Sequence, residues 1–319
     1  MVRRVEDVQA LVSGDLHEVE GLLSRAAQMG PEPGRHAAEH LVAGGGKRIR
    51  PLALLLAHAC FAPPTPAAQQ MAVVVELVHS ATLMHDDVID DGDERRGKPT
   101  ARRVWGNAVS VLAGDLLLVR ALETTAVHAP ALMSSLLVTL RRLVEGEVIQ
   151  LRGRVALDPS EATYERILRD KTASLFGWAT RAGALLAGAD ESCVERMGSF
   201  GERLGVAFQL VDDLLDYTDV DTGKTPLADL SEGKLTLPLV LTCASNPELL
   251  AELERIHAGD LEPVAAVSRA VRSSGACDEV RRRAQSFTAE ALSALRGVAP
   301  TPARELLEGV ATGLVQRVV

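Results

Sequence analysis

Apolar residues recur along this chain at intervals of three and four, the spacing that turns one face of an α-helix toward a core. Val5, Val8, Leu11, Val12, Val19, Leu22 and Leu23 mark such a face within residues 4–29, and Pro31, Pro33 and Gly34 end it. The same periodicity predicts helices over 35–43, 51–60, 69–91, 101–127, 130–153, 164–187 and 191–217. Their punctuation is glycine or proline: Gly44-Gly45-Gly46, the loop at 62–66, Asp158-Pro159-Ser160 with Ser160 as an N-cap, and Gly188. Beyond residue 238 the pattern continues as three or four shorter helices parted by Asn246-Pro247, Gly259, Gly275 and Pro300-Thr301-Pro302. No period-two alternation marks a strand, and neither a GxGxxG nor a Walker-type loop occurs. The expectation is an all-α fold of about ten to thirteen helices in a single domain spanning residues 1–319, since no linker is long or polar enough to divide it.

Composition narrows this without changing it. The chain is 47% hydrophobic and 24% charged, an ordinary globular balance. A net charge of −9 argues against general affinity for nucleic acid or an anionic membrane. Cys60, Cys193, Cys243 and Cys277 are scattered, which fits reduced thiols in a cytoplasmic protein and not a zinc site or a disulfide frame. The N-terminus lacks the apolar core of a signal peptide, and no apolar run reaches the roughly 18–20 residues of a membrane span. Aromatic residues are only 3% of the chain, with none between Phe61 and Trp105, so the interior there must be aliphatic.

The chemistry concentrates at helix ends. The stretch 83–100, LMHDDVIDDGDERRGKPT, closes an apolar helix with Asp86, Asp87 and Asp90 and then supplies Arg95 and Arg96. Asp86 and Asp90 lie four apart and share a face. Two carboxylates there suit a hard divalent ion held together with substrate phosphates, and they equally suit a solvated acidic helix end. His79, seven residues before Asp86, lies on nearly the same face. Gly44-Gly45-Gly46 is followed by Lys47, Arg48 and Arg50, either an oxyanion clamp or a glycine C-cap trailed by solvated cations. Lys171-Thr172 places a cation and a hydroxyl on an otherwise core-like helix.

The acidic pattern then recurs. Asp212, Asp213 and Asp216 end another long apolar helix, 126 residues after the first triad, with Lys224 and Lys234 in the polar loop beyond. The simplest arrangement sets the two triads across one cavity mouth, where six carboxylates would repel strongly without cations. Several Mg²⁺ ions and a diphosphate resolve the repulsion, and the flanking basic residues would stabilise a departing diphosphate.

GGGKRIRP at 44–51, ELVHSATLMHDDVIDDGDERRGKPT at 76–100, Lys171-Thr172, FQLVDDLLDYTD at 208–219 and GKTPLADLSEGKLTLP at 223–238 together resemble the trans-isoprenyl diphosphate synthases, or polyprenyl synthetases. The resemblance implies a helical bundle around a deep central cavity, usually a homodimer, that condenses an allylic diphosphate with isopentenyl diphosphate. It implies Mg²⁺, three ions when diphosphate is bound, with Asp86, Asp90 and Asp212 as main ligands and Asp87, Asp213 and Asp216 supporting them. It assigns Lys47, Arg50, His79 and Arg96 to isopentenyl diphosphate, and Arg95, Lys171, Thr172, Gln209, Lys224 and Lys234 to the allylic diphosphate. Lys171 and Lys224 would also take part in the catalytic step beside the two triads. The loop from Asp216 to Lys224 is shorter than in the family's long-chain members. Val75, Val78, Ala81 and Thr82, one to three turns below Asp86, would line the elongation cavity. Bulky aromatics there would form a floor and stop a growing chain early; none is present, so the expected product is long, about C30 to C50. A short-chain synthase with its floor on another helix, a class I terpene cyclase and a non-catalytic partner subunit are the alternatives. No transmembrane segment is expected, only transient membrane contact as product leaves.

Overall fold

The computed structural model describes residues 3–217 and 234–316, and it is helical almost throughout. In chain order the first ten helices are α1 Arg3–Ala27, α2 Gly34–Ala43, α3 Ile49–Ala59, α4 Pro66–Ile89, α5 Ala101–Trp105, α6 Asn107–His128, α7 Met133–Ala156, α8 Glu161–Ile167, α9 Ser174–Leu186 and α10 Glu191–Leu215. Helices Leu237–Ser245, Leu249–His257, Val264–Ser273, Ala276–Ala294 and Pro302–Val315 complete the order. That makes fifteen segments among the described residues, more than the ten to thirteen expected. The surplus comes from interruptions. Gly106 at φ 85° and ψ 165°, a conformation no helix contains, separates α5 from α6 within the predicted 101–127. A π-helical turn at Leu168–Ala173 separates α8 from α9 within the predicted 164–187.

The chain divides into two compact units. One comprises Met1–Leu137, Trp178–Gly198 and Gly297–Gly309; the other comprises Val138–Gly177, Ser199–Arg296 and Val310–Val319. The first unit is built on α4. Thr65 caps it, accepting the Ala68 amide at 3.2 Å, and Pro66 opens its first turn. Met71 through Val78 are buried without a break, as are Ala81 and Met84. Each fully buried Val, Leu or Met there contributes about 1.5–3 kcal/mol of hydrophobic stabilisation. α4 packs most extensively on α6, then on α3 and α1. α6 answers with a narrow face of Ser110, Ala113, Gly114, Leu117 and Ala121. The interior around α4 is aliphatic, as the missing aromatics require.

In the second unit, one cluster joins Tyr164, Leu168, Val206, Leu210, Leu214, Val240, Val280 and Val315. Another joins Leu239, Leu253, Ile256, Val267 and Val271. Ser160 caps α8 as expected, accepting the Thr163 amide at 3.3 Å. No helix among the described residues is long and apolar enough to cross a membrane.

Candidate active site

In the first unit the carboxylate triad forms where α4 stops. Asp90 is its C-cap, and the Asp90 amide donates to the Asp86 carbonyl at 2.8 Å, so these two residues stand one helical turn apart. Both are half-buried. The chain then makes an excursion where the sequence marks no strand. Glu94–Arg95 and Lys98–Pro99 instead pair as a two-stranded hairpin, too short to show a period of two. Its turn, Arg96-Gly97, has φ of 54° and 72°; both central residues are left-handed, as a two-residue type I′ turn requires. Thr100 closes the excursion: its hydroxyl donates to the Gly92 carbonyl at 2.7 Å and its amide to the Asp93 carbonyl at 3.0 Å. A ring nitrogen of His40 lies 2.7 Å from the Pro99 carbonyl and ties the hairpin to α2.

The hairpin returns Arg95 to the triad. Its Nε and Nη2 both donate to Asp87 Oδ1, at 3.0 and 2.7 Å. Asp87 is only 4% exposed. Burial raises its pKa and Asp86 and Asp90 push the same way, while Arg95 opposes them. The middle aspartate is therefore held against the protein by Arg95, while Asp86 and Asp90 are half-buried.

Around His79 three distant segments converge. Burial lowers the His79 pKa well below the usual imidazole value, and the positive field of Arg50, Arg95, Arg96 and Arg48 lowers it further. His79 is neutral at pH 7. Arg96 is also depressed, by desolvation and by its neighbours Arg95 and Arg48. Gly46 explains how the segments come so close: a Cβ there would stand 3.1 Å from Nη1 of both Arg48 and Arg96. Lys47 is exposed beside them, and Arg50 is half-buried in the first turn of α3. Arg48 is the member set apart. Held in a left-handed conformation, it gives Nε to Glu20 at 2.6 Å and Nη1 to Glu76 at 2.7 Å. Burial works against its charge, yet these acids more than offset it and raise its pKa. Sequence reasoning missed Glu76. A buried acid inside the apolar run of α4 was its available signal, since such a charge demands a cation.

Of the chain-length residues, Val75, Val78 and Ala81 are buried in the first unit. Thr82 is half-buried and donates to the His79 carbonyl at 2.8 Å.

In the second unit the triad ends α10. Asp212 is half-buried, while Asp213 and Asp216 are 3% and 6% exposed. Asp213 accepts three hydrogen bonds: from Tyr164 Oη at 2.7 Å and the Leu237 amide at 3.0 Å on Oδ2, and from Gln209 Nε2 at 2.9 Å on Oδ1. Its carboxylate thus sits at the first turn of helix Leu237–Ser245, where exposed amides favour negative charge. Gln209 in turn accepts from Thr172 Oγ1 at 3.0 Å. One chain of bonds runs from Thr172 through Gln209 to Asp213 and Tyr164. Tyr164 was missed in the sequence, where a lone tyrosine on a core helix carries no mark of its partner. Lys171, beside Thr172 in the π-turn, pairs with Glu147 of α7. Lys234 is half-buried; Lys224 lies outside the described residues.

Both triads are compatible with Mg²⁺. It takes oxygen ligands, and it is usually held by one or two carboxylates with substrate phosphates and waters filling the rest. The Asp86–Asp90 pair is such a partial set.

The polyprenyl synthetase family model matches residues 32–273. The chain belongs to the polyprenyl synthetase family. This family member is a prenyltransferase with the isoprenoid synthase fold. It is 36% identical to a heptaprenyl diphosphate synthase component 2 of Geobacillus stearothermophilus, over 98% of this chain and 99% of the relative. It is 38% identical to the octaprenyl diphosphate synthase of Escherichia coli strain K12, over 87% of this chain and 88% of the relative. A crystal structure of a polyprenyl synthase from Caulobacter crescentus, complexed with calcium and isoprenyl diphosphate, superposes with a TM-score of 0.91 at 37% identity, covering 99% of this chain and 98% of that one.

Proposed function

We propose that this polyprenyl synthetase condenses an allylic diphosphate with isopentenyl diphosphate, head to tail, to a long trans-polyprenyl diphosphate. The observation that carries the reading is the convergence of cations on a neutral His79: Arg50, Arg95, Arg96 and Arg48 all lower its pKa, and the guanidinium groups of Arg48 and Arg96 crowd one side of Gly46, a concentration of positive charge that suits a diphosphate. In this reading Lys47, Arg50, His79 and Arg96 hold isopentenyl diphosphate. Arg95, Lys171, Thr172, Gln209, Lys224 and Lys234 hold the allylic diphosphate. Asp86, Asp90 and Asp212 are Mg²⁺ ligands. Asp87 and Asp213 support them from within the protein, and Asp216 completes the second set. Bound Mg²⁺ ions, three with diphosphate present, supply charge neutralisation for the leaving group.

The allylic C–O bond breaks with its electron pair leaving on diphosphate. The isopentenyl double bond adds to the exposed carbon, and a proton passes to the released diphosphate. The protein's part is to orient both diphosphates and exclude water, and no side chain need act as general base.

The long product rests on the relatives, which make heptaprenyl, octaprenyl and nonaprenyl diphosphates, and on the small side chains Val75, Val78, Ala81 and Thr82. The chain is read as one domain acting as a cytoplasmic homodimer. Supporting the dimer, α6 exposes Leu112, Val119 and Val127 on its outer face. A relative named as a second component favours a further reading, in which activity requires a separate partner subunit.

The test is incubation of the purified chain with Mg²⁺, farnesyl diphosphate and labelled isopentenyl diphosphate. Extension to products of about C30 or longer, abolished in Asp86→Ala, is expected, since Asp86 would hold a Mg²⁺ ion that would neutralise charge on the leaving group. No extension by wild type, alone or with added partner, overturns the reading. Ala81→Phe shortens the product in chromatography; an unchanged length removes Ala81 from the elongation path.

A further inference from the structure

Lys171 occupies the π-turn Leu168–Ala173, and the carboxylate of Glu147 reaches its Nζ from α7. Both side chains are mostly enclosed, at 23% and 17% exposed. The approach is built into the backbone. A Cβ on Gly146 would lie 2.8 Å from the Lys171 amide nitrogen and 3.1 Å from Asp170 Cβ, so only glycine lets α7 come this near. The same two segments are already fastened by another pair. Arg142 Nε donates to Asp170 at 2.8 Å, its Nη1 to Glu202 at 3.0 Å and its Nη2 to the Arg169 carbonyl at 3.3 Å. Thr172 anchors the turn from its other side through Gln209. The Glu147–Lys171 pair is therefore not required to hold the turn against its neighbours.

We infer that Glu147 is a positioning residue that holds Lys171 in check and competes with the allylic diphosphate for its ammonium group. This rests on the reading of Lys171 given above. A lysine ammonium has three donors, and a carboxylate that occupies one of them also places a negative charge beside the incoming phosphates. The competition weakens diphosphate binding and so favours release of the elongated product and of inorganic diphosphate after each cycle. Glu147 touches neither substrate; it acts through Lys171.

The experiment uses the full chain with Mg²⁺ and measures KM for farnesyl diphosphate, KM for isopentenyl diphosphate, kcat, and inhibition by inorganic diphosphate. Glu147→Gln keeps the shape and removes the charge. The expected result is a farnesyl diphosphate KM and an inorganic diphosphate inhibition constant each about tenfold lower, as loss of one like charge a few ångströms away implies. KM for isopentenyl diphosphate stays unchanged, and kcat falls as release slows. In a Lys171→Gln background, Glu147→Gln changes none of these values. A higher farnesyl diphosphate KM in Glu147→Gln, or the same shift with and without Lys171, overturns the inference. Thermal unfolding of both variants separates these outcomes from misfolding, and Glu147→Asp, which keeps the charge, restores wild-type KM if the latch is electrostatic. Failure of wild type to extend farnesyl diphosphate would instead strike at the prenyl-transfer reading itself.

Discussion

The two Asp-Asp-x-x-Asp stretches are the same in sequence and differ in how the protein treats their middle carboxylate. Asp87 is met by one guanidinium, carried back by the hairpin of Glu94–Pro99. Asp213 is reached by donors from three elements, the Tyr164 phenol, the Gln209 side-chain amide and the Leu237 backbone amide. An ion pair at a partly open position leaves Arg95, 32% exposed, able to reach water if its partner goes. The buried donors around Asp213 have no such recourse, and an unpaired buried donor costs about 1–3 kcal/mol. The first triad is thus tied to a short hairpin and a positive cluster, and the second to the framework of its own unit. In both, the second aspartate is buried and hydrogen-bonded at the helix end.

The largest expected effect tests the contrast between these buried aspartates and the half-buried Asp86 and Asp212. Asp86→Ala and Asp212→Ala each lower kcat by about 1,000-fold or more in chain-extension assays, since they remove direct stabilisation of the leaving group. Equal losses in Asp87→Ala and Asp213→Ala, without loss of stability, would erase the distinction.

Stability sharpens the contrast next. Asp213→Ala costs about 3 kcal/mol in urea unfolding, because Tyr164, Gln209 and the Leu237 amide lose their acceptor. Asp87→Ala costs about 1 kcal/mol or less, the lost pair being offset by relief of a buried charge. The reverse order would show that the hairpin, not the donors around Asp213, carries the tighter helix end.

The smallest effect concerns pH. The folded His79 pKa lies well below that of the unfolded chain, through burial and the surrounding arginines. Below about pH 6.5 the unfolded chain takes up a proton that the folded chain refuses, so stability falls as pH falls, by up to about 1.4 kcal/mol per pH unit from this one group. His79→Gln flattens that slope in unfolding experiments at pH 5 to 7. Isopentenyl diphosphate, by neutralising the arginines, raises the His79 pKa and flattens it in wild type as well. A slope unaffected by either change would mean that the cluster does not surround His79 as described.

Much of this was legible in the residues. Helical periodicity marked nearly every element, Gly44 and Ser160 were placed at their caps, and the order of the two triads pointed to diphosphate chemistry. The π-turn was not legible, because LRDKTA at Leu168–Ala173 holds no glycine or proline to mark a break in the helix. Nor was the hairpin, whose strands hold two residues each. Arg48 illustrates the harder case. It reads like its neighbours Lys47 and Arg50, yet Glu20 and Glu76 claim it, and those acids lie 28 positions away on either side.

The sequence by itself determined the helical class, the paired carboxylate motifs and the supply of cations, because each is written in local spacing that a helix converts directly into geometry. Which charges remain for a ligand was decided only by tertiary structure. Asp213, Arg48 and Lys171 each found a partner far along the chain, and pairing of that kind depends on which segments packing brings together, a property no local spacing contains.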